Sequence, residues 1–206
     1  EDPATGLMRP GFAGDTLNTA WYLRALLPES FNIAYLTRVG TDALSARMVH
    51  FIAEAGIDTS RIEPMQGRTI GLYMIHLNQG ERSFTYWRGQ SAARHLADDP
   101  DQLRKAMRSA DTVYLSGITL AILPGEHRDA LIALVKDCKA SGTRIVFDPN
   151  IRPSLWPDVA EMRACLTAIA AHCSIVLPSF DDEATGFGDA SPLDTARRYL
   201  QLGAAE

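Results

Sequence analysis

The stretch that decides the fold is Arg144-Ile-Val-Phe-Asp-Pro-Asn-Ile-Arg-Pro-Ser-Leu-Trp156. Its apolar run, residues 145–147, is typical of a strand that is buried on both faces. The Asp-Pro-Asn that follows ends this strand, because proline cannot donate to a ladder and Asp and Asn favour turns. Asp148, Asn150 and Arg152 therefore follow the carboxyl end of a central strand, where open α/β sheets bind ligands. From these residues alone, a polar turn with a purely structural role is an equally good interpretation.

The segments around this stretch alternate between helix and strand patterns. We predict helices at 99–110, 126–141, 158–171, 180–186 and 191–202, and strands at 112–116, 144–148 and 174–177. Alternation at this spacing predicts an α/β fold with a mostly parallel sheet and helices on both of its faces. Ser116-Gly117 and Pro178-Ser179 would end their strands at the same edge as the Asp-Pro-Asn turn. Three polar strand ends are therefore expected to line one crevice.

The upstream part opens with a glycine-containing turn, Gly11-Phe-Ala-Gly-Asp-Thr-Leu-Asn18, that leads into a helical pattern. Asp15 or Thr16 is a suitable N-cap for this helix. Such a turn can bring backbone N–H groups close to a polar ligand, although a tight turn with a cap explains the same residues. A strand at 31–37 and a helix at 43–55, closed by Gly56, are predicted next.

A hairpin interrupts the alternating pattern. Residues 69–77 and 82–88 flank Asn78-Gln-Gly-Glu81, whose glycine suits a tight turn. Tyr86 and Arg88 are two positions apart and therefore point to the same face. An aromatic ring beside a guanidinium suits an anionic ligand the size of a sugar, because the ring packs on carbon while the arginine binds a carboxylate. A cross-strand aromatic pair beside a solvated arginine is the alternative.

Composition excludes several classes of protein. Of the 206 residues, 46% are hydrophobic and 22% are charged, and no apolar run has the length of a membrane span. The net charge of −5 has no basic run beside it, which argues against a nucleic-acid partner. The N-terminus does not have the pattern of a signal peptide, and Cys138, Cys165 and Cys173 are scattered, as expected of reduced residues in a cytoplasmic protein.

A run of three carboxylates, Asp181-Asp182-Glu183, follows the last predicted strand. Acidic residues at the start of a helix are favoured by the helix dipole, so a solvated helix terminus explains them. At the carboxyl end of a strand they could also organise Mg²⁺ and water.

Several motifs together resemble one known family. They are Gly11-Phe-Ala-Gly-Asp-Thr-Leu-Asn-Thr-Ala20, Gly71-Leu-Tyr73, Phe84-Thr-Tyr-Trp-Arg88, Tyr114-Leu-Ser-Gly-Ile-Thr-Leu-Ala-Ile-Leu123, Phe147-Asp-Pro-Asn-Ile-Arg-Pro-Ser-Leu-Trp156 and Leu177-Pro-Ser-Phe-Asp-Asp-Glu183. In this combination the chain resembles the ribokinase-like (PfkB) sugar kinases. The Tyr-x-Arg and Asn-x-Arg-Pro-x-Leu-Trp segments favour the 2-keto-3-deoxygluconate kinases within that family over ribokinases and fructokinases.

The resemblance implies a ribokinase-like fold with a small β lid. The α/β core would comprise residues 16–66 and 91–206, and the lid with the substrate-binding turn would comprise residues 1–15 and 67–90. The implied reaction transfers the γ-phosphoryl group of ATP, with Mg²⁺, to the C6 hydroxyl of 2-keto-3-deoxygluconate. The implied partners are these small molecules and a second copy of the chain, which would pair through the lid, with neither nucleic acid nor membrane.

The resemblance also implies roles for individual residues. The residues that match the sugar-acid site are Gly14, Asp15, Asn18, Tyr73, Tyr86, Arg88 and Arg152. The residues that match the nucleotide site are Asn150, Arg152 and Ser179, and Arg152 would also stabilise the transferred phosphate. Asp182 and Glu183 are candidates to hold Mg²⁺ through water.

The sequence departs from the family pattern in three places. Ala13 occupies the usual position of a second glycine, and the family's first strand is not recognisable in residues 1–10. The family's G-A-G-D turn, which supplies the general base and an anion hole, does not occur in residues 1–206. We therefore expect the sequence to be an incomplete piece of such an enzyme, and a polypeptide ending at Glu206 to be inactive and poorly stable. A kinase for a neutral sugar such as fructose, and a non-catalytic fragment of the fold, are the alternatives.

Overall fold

Helices and short strands alternate along the chain, as the sequence pattern predicts. The computed structural model describes residues 6–78 and 81–205. The chain separates into two units, Glu1–Leu96 and Ala97–Glu206. The division into core and lid that the resemblance implies follows different boundaries and stays a prediction.

In its described residues, the first unit contains two α-helices, a parallel strand pair and an antiparallel hairpin. Its elements are α1 (Asp15–Leu26), β1 (Thr37–Gly40), α2 (Ala43–Glu54), β2 (Ile62–Met65), β3 (Leu72–Asn78) and β4 (Glu81–Trp87). Strand β1 pairs with β2 in parallel, and β3 pairs with β4 in antiparallel orientation. Leu17, Ala20, Ile52 and Ile57 form the buried core of this unit.

The second unit is a three-stranded parallel sheet with helices between its strands. Its elements are α3 (Pro100–Arg108), β5 (Thr112–Ser116), α4 (Gly117–Ile122), α5 (Gly125–Ala140), β6 (Arg144–Asp148), α6 (Val159–Ala170), β7 (Ile175–Val176), α7 (Phe180–Phe187) and α8 (Pro192–Leu202). The strand order is β5-β6-β7, which makes the decisive stretch the central strand, as predicted. Ile145 and Phe147 are fully buried, whereas Val146 on the opposite face is only half-buried.

The predicted strand at 31–37 is wrong. The strand begins only at Thr37, and the residues before it form a single bridge between Ala34 and Asp58. The Asp58 side chain accepts a hydrogen bond of 2.8 Å from the backbone N–H of Ser60, which closes a local turn next to this bridge. A local turn of this kind competes with the ladder and keeps the pairing short.

One helix start also differs from the prediction, and one helix has no predicted counterpart. The N-cap of α1 is Gly14 and makes no side-chain cap bond, so neither Asp15 nor Thr16 caps the helix. Asp15 instead lies in the first turn, where a carboxylate favours the helix dipole. Helix α4 was not predicted, because six largely apolar residues directly after a strand show no period that separates helix from strand.

The predicted hairpin is confirmed as β3 and β4, with Tyr73 opposite Tyr86 in its register. Two residues of its predicted turn, Gln79 and Gly80, lie outside the described residues.

Two inferences from composition, which concern membrane spans and disulfides, can be compared with the structure. In residues 6–78 and 81–205, no helix combines the length and apolar character that a bilayer crossing requires. The three cysteines are free thiols, and Cys138 and Cys173 are buried.

Candidate active site

The ends of strands β5 and β6 lie side by side in the second unit. Ser116 and Asp148 are partners in the register of the two strands, and Ser116 is fully buried. The next residue, Gly117, approaches the Pro149 carbonyl so closely that a Cβ atom would lie 1.9 Å from its oxygen. Only glycine permits this approach, and it holds the two strand ends together.

Asp148 organises the turn after β6. One of its carboxylate oxygens accepts a hydrogen bond of 3.0 Å from the backbone N–H of Asn150, and the other accepts one of 3.3 Å from the Tyr114 hydroxyl. Asn150 has a φ of 34°, and among the described residues it is the one non-glycine residue with positive φ. Strained backbone of this kind persists only where its surroundings enforce it, and it concentrates at binding sites.

The two residues after Asn150 have opposite environments. Ile151 is 3% exposed, and its side chain packs against Gly186 of α7, where a Cβ atom would lie 2.8 Å from Ile151 Cδ1. The Arg152 side chain is 48% exposed, and its Nη1 donates to the Ile151 carbonyl at 2.7 Å and to Asp182 Oδ2 at 3.2 Å. The buried isoleucine thus anchors the loop, while the guanidinium stays accessible to an anion.

Helix α7 presents three of the predicted residues in different ways. Ser179 is its exposed N-cap residue and makes no side-chain cap bond. Asp182 is partly exposed and pairs with Arg152. Glu183 is fully buried, and its carboxylate accepts bonds from Arg198 at 2.6 Å and from the Tyr199 hydroxyl at 3.0 Å. Burial raises the pKa of Glu183, while these two hydrogen bonds oppose the rise.

A magnesium role therefore fits Asp182 but not Glu183. The part of the chain that the structure describes contains no group of three His, Cys, Asp or Glu side chains able to hold a metal. Mg²⁺ that is bound mainly by nucleotide phosphates and water needs only one or two protein carboxylates. The accessible carboxylate of Asp182 meets that requirement, whereas the carboxylate of Glu183 is enclosed and already hydrogen-bonded.

The glycine turn of the first unit is held by Asn18. Its backbone N–H donates to the Gly14 carbonyl at 2.7 Å, and its Oδ1 accepts a weaker bond of 3.4 Å from the Gly14 N–H. Ala13 does not have a positive φ, so the alanine that departs from the family pattern is not strained. Asp15 is half-buried. Asn18 is exposed and lines a largely aromatic cavity of about 260 Å³.

The hairpin brings its three predicted residues together. The Tyr73 and Tyr86 rings are 6.1 Å apart, and the Arg88 guanidinium lies 4.3 Å from the centroid of the Tyr86 ring. Tyr86 is 50% exposed. An exposed aromatic surface next to a cation can contact both the carbon chain and the carboxylate of a sugar acid.

Sequence reasoning missed a buried arginine behind the strand ends. Arg128 lies in the first turns of α5, is 7% exposed, and contacts Leu120, Trp156 and Glu161. A signal was available in the sequence, because Arg128 lies on the same helical stripe as Leu131 and Val135, three and seven positions later. A charged residue on an apolar stripe indicates a buried polar contact.

Comparisons with known proteins agree with this architecture. The model of the pfkB family of carbohydrate kinases matches residues 6–205. A 2-dehydro-3-deoxygluconokinase of Haemophilus influenzae is 39% identical over 200 residues, covering 95% of this chain and 64% of the relative. One of Bacillus subtilis is 30% identical over 197 residues, covering 95% and 59%. The chain therefore spans less than two thirds of the length of these relatives.

Solved structures confirm the predicted ribokinase-like α/β fold. A PfkB protein from Polaromonas sp. JS666 superposes with a TM-score of 0.81 at 26% identity, covering 92% of this chain and 63% of that one. The fructokinase of Xylella fastidiosa with bound ATP superposes with a TM-score of 0.75 at 21% identity, covering 92% and 57%. From the family match and these structures together, the chain belongs to the pfkB family of carbohydrate kinases.

Proposed function

We propose that this kinase acts on a sugar acid and transfers the γ-phosphoryl group of ATP to the C6 hydroxyl of 2-keto-3-deoxygluconate. Relatives named 2-dehydro-3-deoxygluconokinase support this choice, because 2-dehydro-3-deoxygluconate is another name for 2-keto-3-deoxygluconate. The product would be 2-keto-3-deoxy-6-phosphogluconate. In the step itself the C6 oxygen forms a bond to the γ-phosphorus, the bond to the bridging oxygen breaks, and ADP leaves.

The observation that carries the proposal is the contact between Arg88 and Tyr86. The guanidinium lies 4.3 Å from the centroid of the ring, which directs a cation toward any ligand that packs on this aromatic surface. A neutral sugar offers such a cation only hydroxyl acceptors, whereas the C1 carboxylate of a sugar acid offers it a charge-assisted, bidentate bond. Tyr73, Gly14, Asp15 and Asn18 complete the proposed sugar-acid set in the first unit.

The proposed nucleotide set lies at the strand ends of the second unit. Asn150 and Ser179 supply polar groups, and the exposed guanidinium of Arg152 supplies positive charge for the transferred phosphate and the sugar acid. Mg²⁺ held through water by Asp182 would neutralise charge on the nucleotide phosphates. Because Asp182 pairs with Arg152 in the structure, binding of the nucleotide would exchange this ion pair for contacts with the ligand.

The attacking hydroxyl must give its proton to a base. No G-A-G-D turn occurs in residues 1–206, so these residues do not supply the aspartate that the family resemblance assigns to this task. A general base contributes typically ~10²–10⁴ in rate, so a polypeptide of these 206 residues alone would turn over very slowly.

The test is ADP formation by the protein as its gene encodes it, with ATP, Mg²⁺ and either 2-keto-3-deoxygluconate or fructose. We expect turnover with the sugar acid, and Arg88→Met should raise its KM at least about 30-fold because a charge-assisted pair is lost. Arg68→Met is a matched control, since it removes a guanidinium that bonds Gln90 in the same unit. An equal rise in KM in both variants, or an unchanged KM in Arg88→Met, would contradict the assignment.

A neutral-sugar kinase is the second candidate. A fructokinase of Salmonella typhimurium is 29% identical over 153 residues, covering 74% of this chain and 48% of the relative. For such a substrate, turnover would occur with fructose and Arg88→Met would leave KM almost unchanged. Absence of turnover with either sugar would instead favour the non-catalytic reading.

A further inference from the structure

We propose that Arg128 is a positioning residue that acts through Trp156 on the loop carrying Asn150 and Arg152. The inference rests on the proposed function, because it concerns the nucleotide set of that site. Arg128 itself is buried and remote from solvent, so it acts without touching a ligand.

The burial of Arg128 has to be compensated. A guanidinium is charged at every physiological pH, and arginine is almost never fully buried unless its charge is paired. Arg128 is 7% exposed, and its guanidinium donates from Nε to the Leu120 carbonyl at 3.1 Å and from Nη1 to Glu161. Its Cζ atom also lies 5.0 Å from the centroid of the Trp156 ring.

These three contacts reach three different elements. Leu120 belongs to α4, which begins at Gly117, where that glycine touches the Pro149 carbonyl. Glu161 lies in the first turn of α6, and its backbone N–H bonds the Asp158 cap. Trp156 ends the segment that follows β6. One side chain thus connects the elements after β5 and β6 at the edge where the candidate residues lie.

A short rigid link joins Trp156 to Arg152. The Trp156 N–H donates to the Pro153 carbonyl at 3.1 Å, and the Leu155 N–H donates to the Arg152 carbonyl at 3.0 Å. Together they form a single 3₁₀ turn, whose first residue is a proline with a fixed φ. A shift of the Trp156 ring is therefore transmitted to Arg152 instead of being absorbed by flexible chain.

A second anchor lies between the candidate residues. Ile151 is buried against Gly186, so the loop is held near its start by an apolar contact and at its end by the cation–π contact of Arg128 with Trp156. Removing the end anchor should loosen the part of the loop that follows Ile151, with Arg152 sampling several positions. The apparent Kd for a ligand rises in inverse proportion to the population of the binding-competent conformation.

The experiment compares Arg128→Met with Lys139→Met in the protein as its gene encodes it. Lys139 is a matched control because it lies at the other end of the same helix and donates to the Cys173 carbonyl at 2.9 Å. ATP binding is measured by calorimetry below the thermal transition of each variant. If the competent conformation falls to about a tenth of the population, Arg128→Met raises the Kd for ATP about tenfold, while Lys139→Met leaves it within about twofold.

A double-mutant cycle with Trp156→Leu tests the route. If Arg128 acts through Trp156, the effect of the double variant on the Kd for ATP is smaller than the sum of the single effects. Arg128→Lys keeps a cation near the ring and should recover part of the affinity.

The outcomes separate the two proposals. An unchanged Kd in Arg128→Met together with a lowered melting temperature would mean that Arg128 is only structural, and additive effects with Trp156→Leu would remove the proposed route. Either result overturns the inference while leaving the proposed function intact. Wild-type protein that binds no ATP would overturn both.

Discussion

The hairpin and the strand-end loop differ in how their functional side chains are supported. On the hairpin, Tyr73 and Tyr86 are 37% and 50% exposed, and they contact each other and neighbouring rings. In the loop after β6, the candidate Arg152 lies beside Ile151, which is 3% exposed and packed in the core. A two-stranded hairpin has little stability of its own in water, whereas a loop with a buried anchor such as Ile151 is held by the core beneath it.

This difference indicates that the loop and the hairpin have different roles. The anchored loop suits its proposed role in aligning phosphate oxygens, because positioning supplies most of the catalysis in phosphoryl transfer. The hairpin offers adaptable apolar surface, which suits a ligand or a second copy of the chain that completes its packing. Substitutions that are matched in chemistry between the two regions should therefore have unequal effects.

The largest effect is expected for Gly117→Ala at the strand ends. The added Cβ would lie 1.9 Å from the Pro149 oxygen, so the loop has to move. We expect a loss of more than about 4 kcal/mol in the free energy of unfolding, measured by urea denaturation. Gly125→Ala is the control, because nothing lies within 4 Å of its added Cβ. Equal stability of the two variants would show that the loop is not tightly held.

The second largest effect is expected when the same substitution, isoleucine to alanine, is made in the two regions. Ile151→Ala should cost about 3 kcal/mol, because it opens a cavity beneath the loop. Ile75→Ala on the hairpin, where the residue is 36% exposed, should cost less than about 1 kcal/mol by the same measurement. Costs of similar size would mean that the hairpin is as well packed as the loop.

The smallest effect concerns self-association through the hairpin, which we propose as the dimer contact. Trp87 is 54% exposed and lies on the face opposite Tyr86, so it can pack on a second copy without occupying the proposed sugar surface. Trp87→Ser should weaken the dimer at least about tenfold, measured by sedimentation equilibrium. Leu200→Ser is the control, because Leu200 is also 54% exposed but lies on α8 of the other unit. An unchanged association constant would place the contact elsewhere.

Much of the fold follows from local pattern. The apolar run at 145–147 and the Asp-Pro-Asn after it predicted the central strand and its end, and the structure has both at Arg144–Asp148. The strand at Thr112–Ser116 was also predicted with its bounds. Period and turn chemistry act within a few residues, so they can be read without knowing what packs on the segment.

The sequence by itself therefore determined the α/β class, the hairpin and the family motifs that mark the candidate residues. Tertiary structure alone decided which carboxylate stays accessible, because Asp182 and Glu183 are adjacent in sequence yet only Glu183 is enclosed by Arg198 and Tyr199. It also decided that Arg128 is buried against Trp156, 28 positions away. Burial and ion pairing depend on residues distant in the chain, and the local hydrophobic period does not specify which distant residues will contact a given side chain.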